Sequence, residues 1–297
     1  MSVRGRIGAE RRRTALRSFV RGYLSHRAGV AGLVVLTVAV LVAVLAPMLV
    51  PAAALSVVDA GGPVLAPPGP GGLLGTDENG RSVLVLTLVG TRVSLVVGIA
   101  ATLLSVLFGS LVGMLAAHFG RFVSAILMVI TDFFLVLPSL VLAIVLSTVL
   151  ERGLVTIVLA IGVTSWASTA RLVRAQTMAV EARPYIERAT VLGGGHAHVL
   201  GKHVLPAVAP LVLANTTLTV GSAIIAESTL SFLGLGDPGS ISWGAMLRSA
   251  VESGAITAGA WWYLLPPGLA IVAVVLGFTL CGRALEIQLN PALAAKR

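Results

Sequence analysis

GVAGLVVLTVAVLVAVLAPMLVP, residues 29–51, is an uninterrupted apolar run, and a helix needs about 20 such residues to cross the hydrocarbon core of a bilayer. Eight of the 21 basic residues fall within the first 27 positions, directly before it. That placement fits anionic headgroups on the cytoplasmic side rather than nucleic acid, despite the formal charge of +9. A basic segment, an apolar run and AAA at 52–54 together imitate a secretory signal. A signal's apolar region spans only about 7–15 residues, so a retained first membrane helix is expected. RRR at 11–13 is a poor twin-arginine match, because the apolar run begins too far downstream. With 57% hydrophobic and 11% charged residues, the whole chain falls in the membrane class. The single Cys281 cannot form an internal disulfide and reads as a buried free thiol.

Further apolar segments at about 83–117, 122–150, 154–176, 207–233 and 261–284 bring the candidate spans to six. The expected fold class is therefore an all-α integral membrane protein with both termini on one side. Basic residues choose the side: the N-terminal arm, HFGR at 118–121, the segment 171–206 and the C-terminal KR would be cytoplasmic. The resulting organisation is a basic arm at 1–28, a first helix at 29–51 and an outer loop at 52–82. A core of further spans follows at 83–290 with a polar loop at 181–206, and a tail closes the chain at 291–297. GGPVLAPPGPGG at 61–72 is too rich in proline and glycine for regular structure and reads as a surface loop, either linker or docking surface. Arg92 divides the second run, so that span is expected to begin near Val93, with 83–91 as an interfacial helix. Gly109 and Gly113 form a GxxxG pair that would let two helix backbones approach closely.

Few motifs promise chemistry. The only GK, Gly201-Lys202, is followed by His203 and lacks the upstream glycine of a P-loop, so ATP hydrolysis by this chain is not expected. GLGDPG at 234–239 satisfies a dinucleotide-binding string, but it follows a membrane run and carries proline where a helix should open; it reads as a helix end and turn. His196, His198 and His203 have no cysteine or nearby carboxylate to complete a metal shell. They are read as polar residues at a membrane edge, and no metal or cofactor is assigned to the chain. Asp132 and Glu227 lie inside predicted spans, where charge is costly; each is a candidate for a translocation path or subunit interface, or for a structural pair with arginines or helix ends. Pro138, and Pro266-Pro267, free backbone carbonyls and can bend their helices.

The polar loop YIERATVLGGGHAHVLGKHVLP, 185–206, predicts a short helix opening at Pro184, with Glu187 near its N-terminal dipole and Gly193 ending it. Tyr185, Ile186, Ala189 and Leu192 supply too little apolar surface for such a helix to stand alone, so a partner's groove is expected. The chain then turns at 193–195, and Leu205-Pro206 precedes the next span.

Counted from Glu187, the loop has E-x-A-x-x-x-G, nine residues, His203, one residue, then Leu205-Pro206. This resembles the EAA loop of ABC importer permeases, with Arg188 in place of the second alanine and His203 in place of the apolar residue. The HVLP form is similar to that of the family's peptide branch, although Ala207 replaces a common asparagine. LLGTDENGRSVLVLTLVGTRVSL at 73–95 resembles the signature of dipeptide and oligopeptide permeases, with Ser82 for the usual aspartate. LSFLGLG at 230–236 and SWGAML at 242–247 also match that branch, while CGRALEIQLNP at the end departs from it.

The resemblance implies a type I ABC importer transmembrane fold in a bacterial cytoplasmic membrane and a role as permease subunit of a peptide importer. It further implies a homologous permease as partner, commonly a different chain, two ATPase subunits that hold ATP and magnesium, and an external substrate-binding protein. Tyr185, Ile186, Glu187, Ala189, Gly193, His203, Leu205 and Pro206 would form the coupling surface for an ATPase. Relatives carrying nickel complexes or glutathione leave the substrate open. Rival classes are a proton-coupled transporter using Asp132 and Glu227, and a non-transporting membrane scaffold.

Overall fold

The computed structural model describes residues 20–69 and 72–289. The expected tail at 291–297 and most of the arm at 1–28 lie outside them. A short helical stretch at 20–24 leads into α1 (Arg27–Leu49), followed by α2 (Val83–His118), α3 (Arg121–Val136), α4 (Ser139–Val149) and α5 (Leu154–Glu181). Then come α6 (Pro184–Val191), α7 (His196–Val199), α8 (Leu205–Phe232), α9 (Trp243–Glu252) and α10 (Trp261–Leu289). No β-strand occurs among the described residues. Among the described residues, five helical segments are long and apolar enough to span a membrane, or six if the α3–α4 pair counts as one. The ends of the bundle differ. One carries residues 118–121 and 181–206 and is called the basic end; the other carries the loops at 50–82, 150–153 and 233–260.

α2 is the central helix. Its Gly109 and Gly113 lie against α5, where a Cβ on Gly109 would stand 2.5 Å from the Trp166 carbonyl oxygen and one on Gly113 would collide with that of Ala170. The GxxxG pair therefore works as read, letting two backbones touch where lipid supplies no hydrophobic drive for larger side chains to exploit. α1 is held on α10 by the same device, since a Cβ on Gly32 would lie 2.7 Å from the Gly277 carbonyl oxygen.

The reading of 83–91 as an interfacial helix is corrected. α2 runs unbroken for 36 residues, about 54 Å at 1.5 Å per residue, well beyond the roughly 30 Å hydrocarbon core. Its first turns bury Val83, Leu86, Gly90 and Thr91 among α9 and the outer loop instead of lying on a membrane surface. Trp243 Nε1 donates to the Thr87 carbonyl at 3.0 Å, and Arg92 points outward from the helix, so its charge does not interrupt it.

Pro138 breaks its span rather than merely bending it. α3 and α4 meet at 88° across Leu137-Pro138, because proline has no N–H to continue the ladder and disfavours helical backbone in the residue before it. The start of the fifth predicted span also moves. The chain is helical from His196 to Phe232, with a π-helical turn at Leu200–Val204 joining α7 to α8. Pro206 cannot donate to the Lys202 carbonyl, and the ladder opens by one residue, with the Leu205 N–H bonding the Leu200 carbonyl. α10 runs through Pro266-Pro267 as one helix.

The proline- and glycine-rich outer loop is irregular, as expected, and a buried carboxylate pins it. Asp77 accepts from the N–H groups of Asn79 and Arg81, and from the Arg81 guanidinium at 2.7 Å. Arg81 donates in turn to the Leu55 carbonyl. The GLGDPG string is a helix end and turn: α8 stops at Phe232, Gly234 takes φ +82, and Ser242 caps α9 by accepting from the Ala245 N–H.

Gly113→Leu is expected to lower the unfolding midpoint of the purified chain by roughly 3–10 °C, because overpacking at a backbone contact costs about 1–3 kcal/mol. Gly268→Leu, at a helical glycine whose Cβ enters open space, should stay close to wild type. Thermal unfolding in one detergent compares the two; equal midpoints would remove the α2–α5 contact from its central role.

Candidate functional site

The segment between α5 and α8 projects from the basic end as a small helical cap. Its helix α6 opens as the sequence predicts, with Arg183 extended at the N-cap, Pro184 in the first turn and Glu187 placed where the helix dipole favours an acid. It closes with a complete Schellman motif: the Gly194 N–H bonds the Ala189 carbonyl at 2.9 Å, and the Gly193 N–H bonds the Thr190 carbonyl at 3.0 Å. Gly193 sits at φ +86, a left-handed conformation costing L side chains about 1–2 kcal/mol. No atom lies within 4 Å of where its Cβ would be. Glycine is therefore demanded there by the backbone angle and not by crowding.

The predicted coupling residues divide into two groups. Ile186 is 5% exposed and packs inward with Val180, Val199, Val204 and Val208, so it anchors α6 to the bundle instead of facing outward. Tyr185, Glu187 and Leu205 are exposed. Leu192 is 87% exposed, and Val191, which sequence reading did not single out, is 81% exposed. Ala189 is half-buried beneath the Gly194 turn, where its carbonyl is held by the C-cap. Tyr185, Ala189, Leu192, Gly193, His198 and His203 share the wall of an open depression of about 490 Å³. His203 stands between Tyr185 and His198, with ring centroids 6.2 and 5.5 Å away. Pro206 acts through the backbone, as the cause of the π-turn that carries this wall into α8.

A polar clamp that the sequence did not disclose ties the cap to the spans. His118, the last residue of α2, has Nδ1 2.6 Å from Glu181 Oε1 at the end of α5 and Nε2 2.8 Å from His196 Nδ1 at the start of α7. Phe119 packs against both imidazoles, with centroids 5.1 and 5.3 Å away. The three groups are 63 and 78 residues apart in the chain, and the only sequence signal was a histidine in the HFGR turn. The cap is thus joined by polar contacts, alongside the Ile186 cluster, to the ends of α2 and α5, two helices in direct backbone contact.

The two acids in the spans lie elsewhere and do not meet. Asp132 on α3 pairs with Arg171 on α5 at 2.5 Å, with their side chains 53% and 60% exposed. Glu227 is enclosed between α2 and α8, accepting from Ser231 Oγ at 2.8 Å, Ser94 Oγ at 3.0 Å and Ser228 Oγ at 3.3 Å. Ser94 also accepts from the Trp243 N–H at 3.4 Å, linking this cage to the first residue of α9. In this conformation Glu227 offers no accessible surface, and its carboxyl oxygens are held by serine hydroxyls.

Residues 105–294 match the family described as binding-protein-dependent transport system inner membrane component, and residues 14–68 match the N-terminal TM domain of oligopeptide transport permease C. Among similar proteins, the oligopeptide transport system permease protein OppC of Salmonella typhimurium is 38% identical over 273 residues, covering 91% of this chain and 89% of that one. OppC of Bacillus subtilis is 34% identical over 274 residues, covering 91% and 88%. The dipeptide transport system permease protein DppC of Bacillus subtilis is 34% identical over 228 residues, covering 76% and 71%. With five or six apolar helical spans, a polar helical cap at the basic end and these matches, the chain belongs to the family of multi-pass inner membrane components of binding-protein-dependent ABC transport systems.

Proposed function

We propose that this chain is one transmembrane subunit of an ATP-driven importer of short peptides in a bacterial cytoplasmic membrane. Its partners are a homologous permease of different sequence, two ATPase subunits and an external binding protein. The observation that carries the proposal is α6, a helix closed at its C-terminus by its own backbone, anchored by Ile186 and presenting Tyr185, Val191 and Leu192 exposed at the basic end. Exposed apolar side chains on a rigid polar loop fit a protein groove outside the bilayer. The peptide assignment is supported by the names of the relatives, which are oligopeptide and dipeptide permeases.

Glu187, Ala189 and Gly193 set the docking geometry. ATP and magnesium belong to the partner ATPases, because this chain lacks a P-loop and so carries no hydrolytic machinery of that kind. Closing of the ATPase pair would draw the α6 helices of the two permeases together. The Ile186 cluster and the His118 clamp would pass that displacement to α2 and α5, opening the bundle toward the binding protein. The cycle needs two conformations, with peptide-loaded binding protein and nucleotide each preferring one of them. A proton-coupled mechanism is weakened by the position of its two proposed carriers, since Glu227 is sealed and Asp132 is already ion-paired.

Glu187→Lys places a cation at the α6 N-terminus and reverses charge on the docking face. In a mild-detergent pulldown, the wild-type chain is expected to bring down an ATPase and the variant to lose it or to uncouple its hydrolysis from substrate. Absence of any ATPase from the wild-type preparation would sink the importer reading. Gly193→Val should reduce uptake and coupled ATP hydrolysis with membrane insertion intact. Gly193→Asn should retain most of both, since asparagine tolerates left-handed backbone and space is open around the site. Uptake unchanged in Gly193→Val would remove the role assigned to that turn.

A further inference from the structure

A second concave surface lies at membrane depth on the opposite side of α5 from α2, and its chemistry differs from that of the rest of the bundle exterior. It is a cleft of about 570 Å³ between the α3–α4 break, α5 and α8. Its polar groups are Ser139 at the start of α4, Thr164, Ser165 and Ser168 from α5, and Asn215, Thr219 and Ser222 from α8. No side chain lining it is charged. On the basic-end side, Arg171 follows Ser168 by one turn of α5 and Asp132 precedes Leu135 by one turn of α3, so the exposed Asp132–Arg171 ion pair stands beside that mouth.

Three independent features argue against lipid on this face. Non-helical backbone is tolerated at membrane depth only where protein or water covers it, and Leu137-Pro138 forms one wall. A half-exposed ion pair within apolar spans must also avoid lipid. Exposed hydroxyls at Ser168 and Ser222 add a polar stripe that a lipid-facing helix would not need. The exposed face of α1 offers a contrast, since its middle carries valine, leucine and alanine with Thr37 as the single hydroxyl, and that hydroxyl donates to the Leu33 carbonyl of its own helix.

Donors and acceptors in the cleft are unequally available. The Ser168, Thr219, Ser222 and Thr164 hydroxyls donate to carbonyls of their own helices, those of Ser165, Asn215, Leu218 and Ala160. Their protons are thereby engaged, and the lone pairs of the exposed Ser168 and Ser222 hydroxyls stay open, whereas Thr219 also accepts from Asn215. The Asn215 amide makes only two long contacts, 3.4 Å to the hydroxyls of Thr169 and Thr219, leaving its carbonyl oxygen available. A wall rich in neutral acceptors suits a ligand that offers N–H groups regardless of its side chains.

We infer that this cleft is this chain's share of the solute path and that it holds the main chain of a short peptide through N–H donation to Asn215, Ser168 and Ser222. The inference rests on the importer reading and adds to it the chemistry of recognition. A neutral wall neither attracts nor repels charged side chains, so selection by side chain would be left to the external partner. The Asp132–Arg171 pair would supply a carboxylate and a guanidinium for the peptide's two charged termini as it leaves toward the basic end.

The test uses the complete importer in lipid nanodiscs with cysteine replacing Ser168 or Ser222, both near-isosteric changes at exposed positions, and Leu41→Cys on α1 as a lipid-facing control. The only native cysteine, Cys281, is buried, so background is low. A charged, water-soluble thiosulfonate is expected to react with both cleft positions roughly tenfold faster than with the control, because burial in apolar surroundings suppresses the thiolate. Millimolar trialanine should slow the cleft reactions severalfold, whereas trialanine N-methylated at both peptide bonds should protect much less. Cleft positions that react no faster than Leu41→Cys overturn the inference, as does equal protection by the two peptides. Peptide uptake is measured in proteoliposomes with the same complexes. Intact uptake with an unprotected cleft defeats the cleft assignment alone, while ATP hydrolysis without uptake of any peptide defeats the importer reading as well.

Discussion

The close backbone contact between α2 and α5 is the constraint from which the arrangement follows. In a bilayer, apolar side chains gain little from leaving lipid, so helices associate where dispersion contacts are dense and backbones can touch. Gly109 and Gly113 create such a place against the carbonyls of Trp166 and Ala170. Once these two helices are joined, α2 offers its other faces to α1, α8 and α9. α5 offers its own to the broken α3–α4 pair and, at the far edge, to the cleft with α8. The same contact puts His118 and Glu181, at the ends of α2 and α5, close enough to grip the cap through His196.

Proline decides where this bundle departs from straight spans, and each departure has a use. At Pro138 the absent N–H separates α3 from α4, exposing irregular backbone beside polar hydroxyls and away from lipid. At Pro206 the chain opens the ladder by one residue and remains helical, so the His196–Val199 part of the cap runs without a break into α8. Pro266-Pro267 interrupts nothing, because α10 continues through them as one helix. The difference between the first two is geometric. The residue before Pro138 is extended, whereas Val204 and Leu205 keep helical angles and the strain is absorbed by the π-turn.

Charge inside the spans is handled in two contrasting ways. Glu227 is surrounded by serine hydroxyls and the capped start of α9, a cage in which every neighbour is a neutral donor. Asp132 is instead paired with Arg171 at a surface that needs a covering of water or protein. The first arrangement braces α2 against α8, while the second marks the face on which α3 and α5 meet something other than lipid. A carboxylate in a membrane sequence is therefore informative about polarity nearby, but its role depends on which helix face it occupies.

Much of the protein was readable from residue order alone, because those features depend on neighbours within a few positions. Length and hydropathy of the apolar runs identify the spans, and proline, acid and glycine at 184, 187 and 193 define α6 to its ends. The GxxxG pair marked a place where two backbones could approach, and the fold sets α5 against it. What residue order did not disclose depends on which distant groups the packing brings together. Arg92 was taken to split a helix that tertiary contacts keep whole, and Ile186 was grouped with partner-facing residues although the bundle buries it. The His118–Glu181–His196 clamp, the serine cage of Glu227 and the neutral cleft each join residues tens of positions apart, with no local pattern to announce them. Local backbone chemistry is written along the chain, but the partner of a side chain is settled only when helices choose their faces.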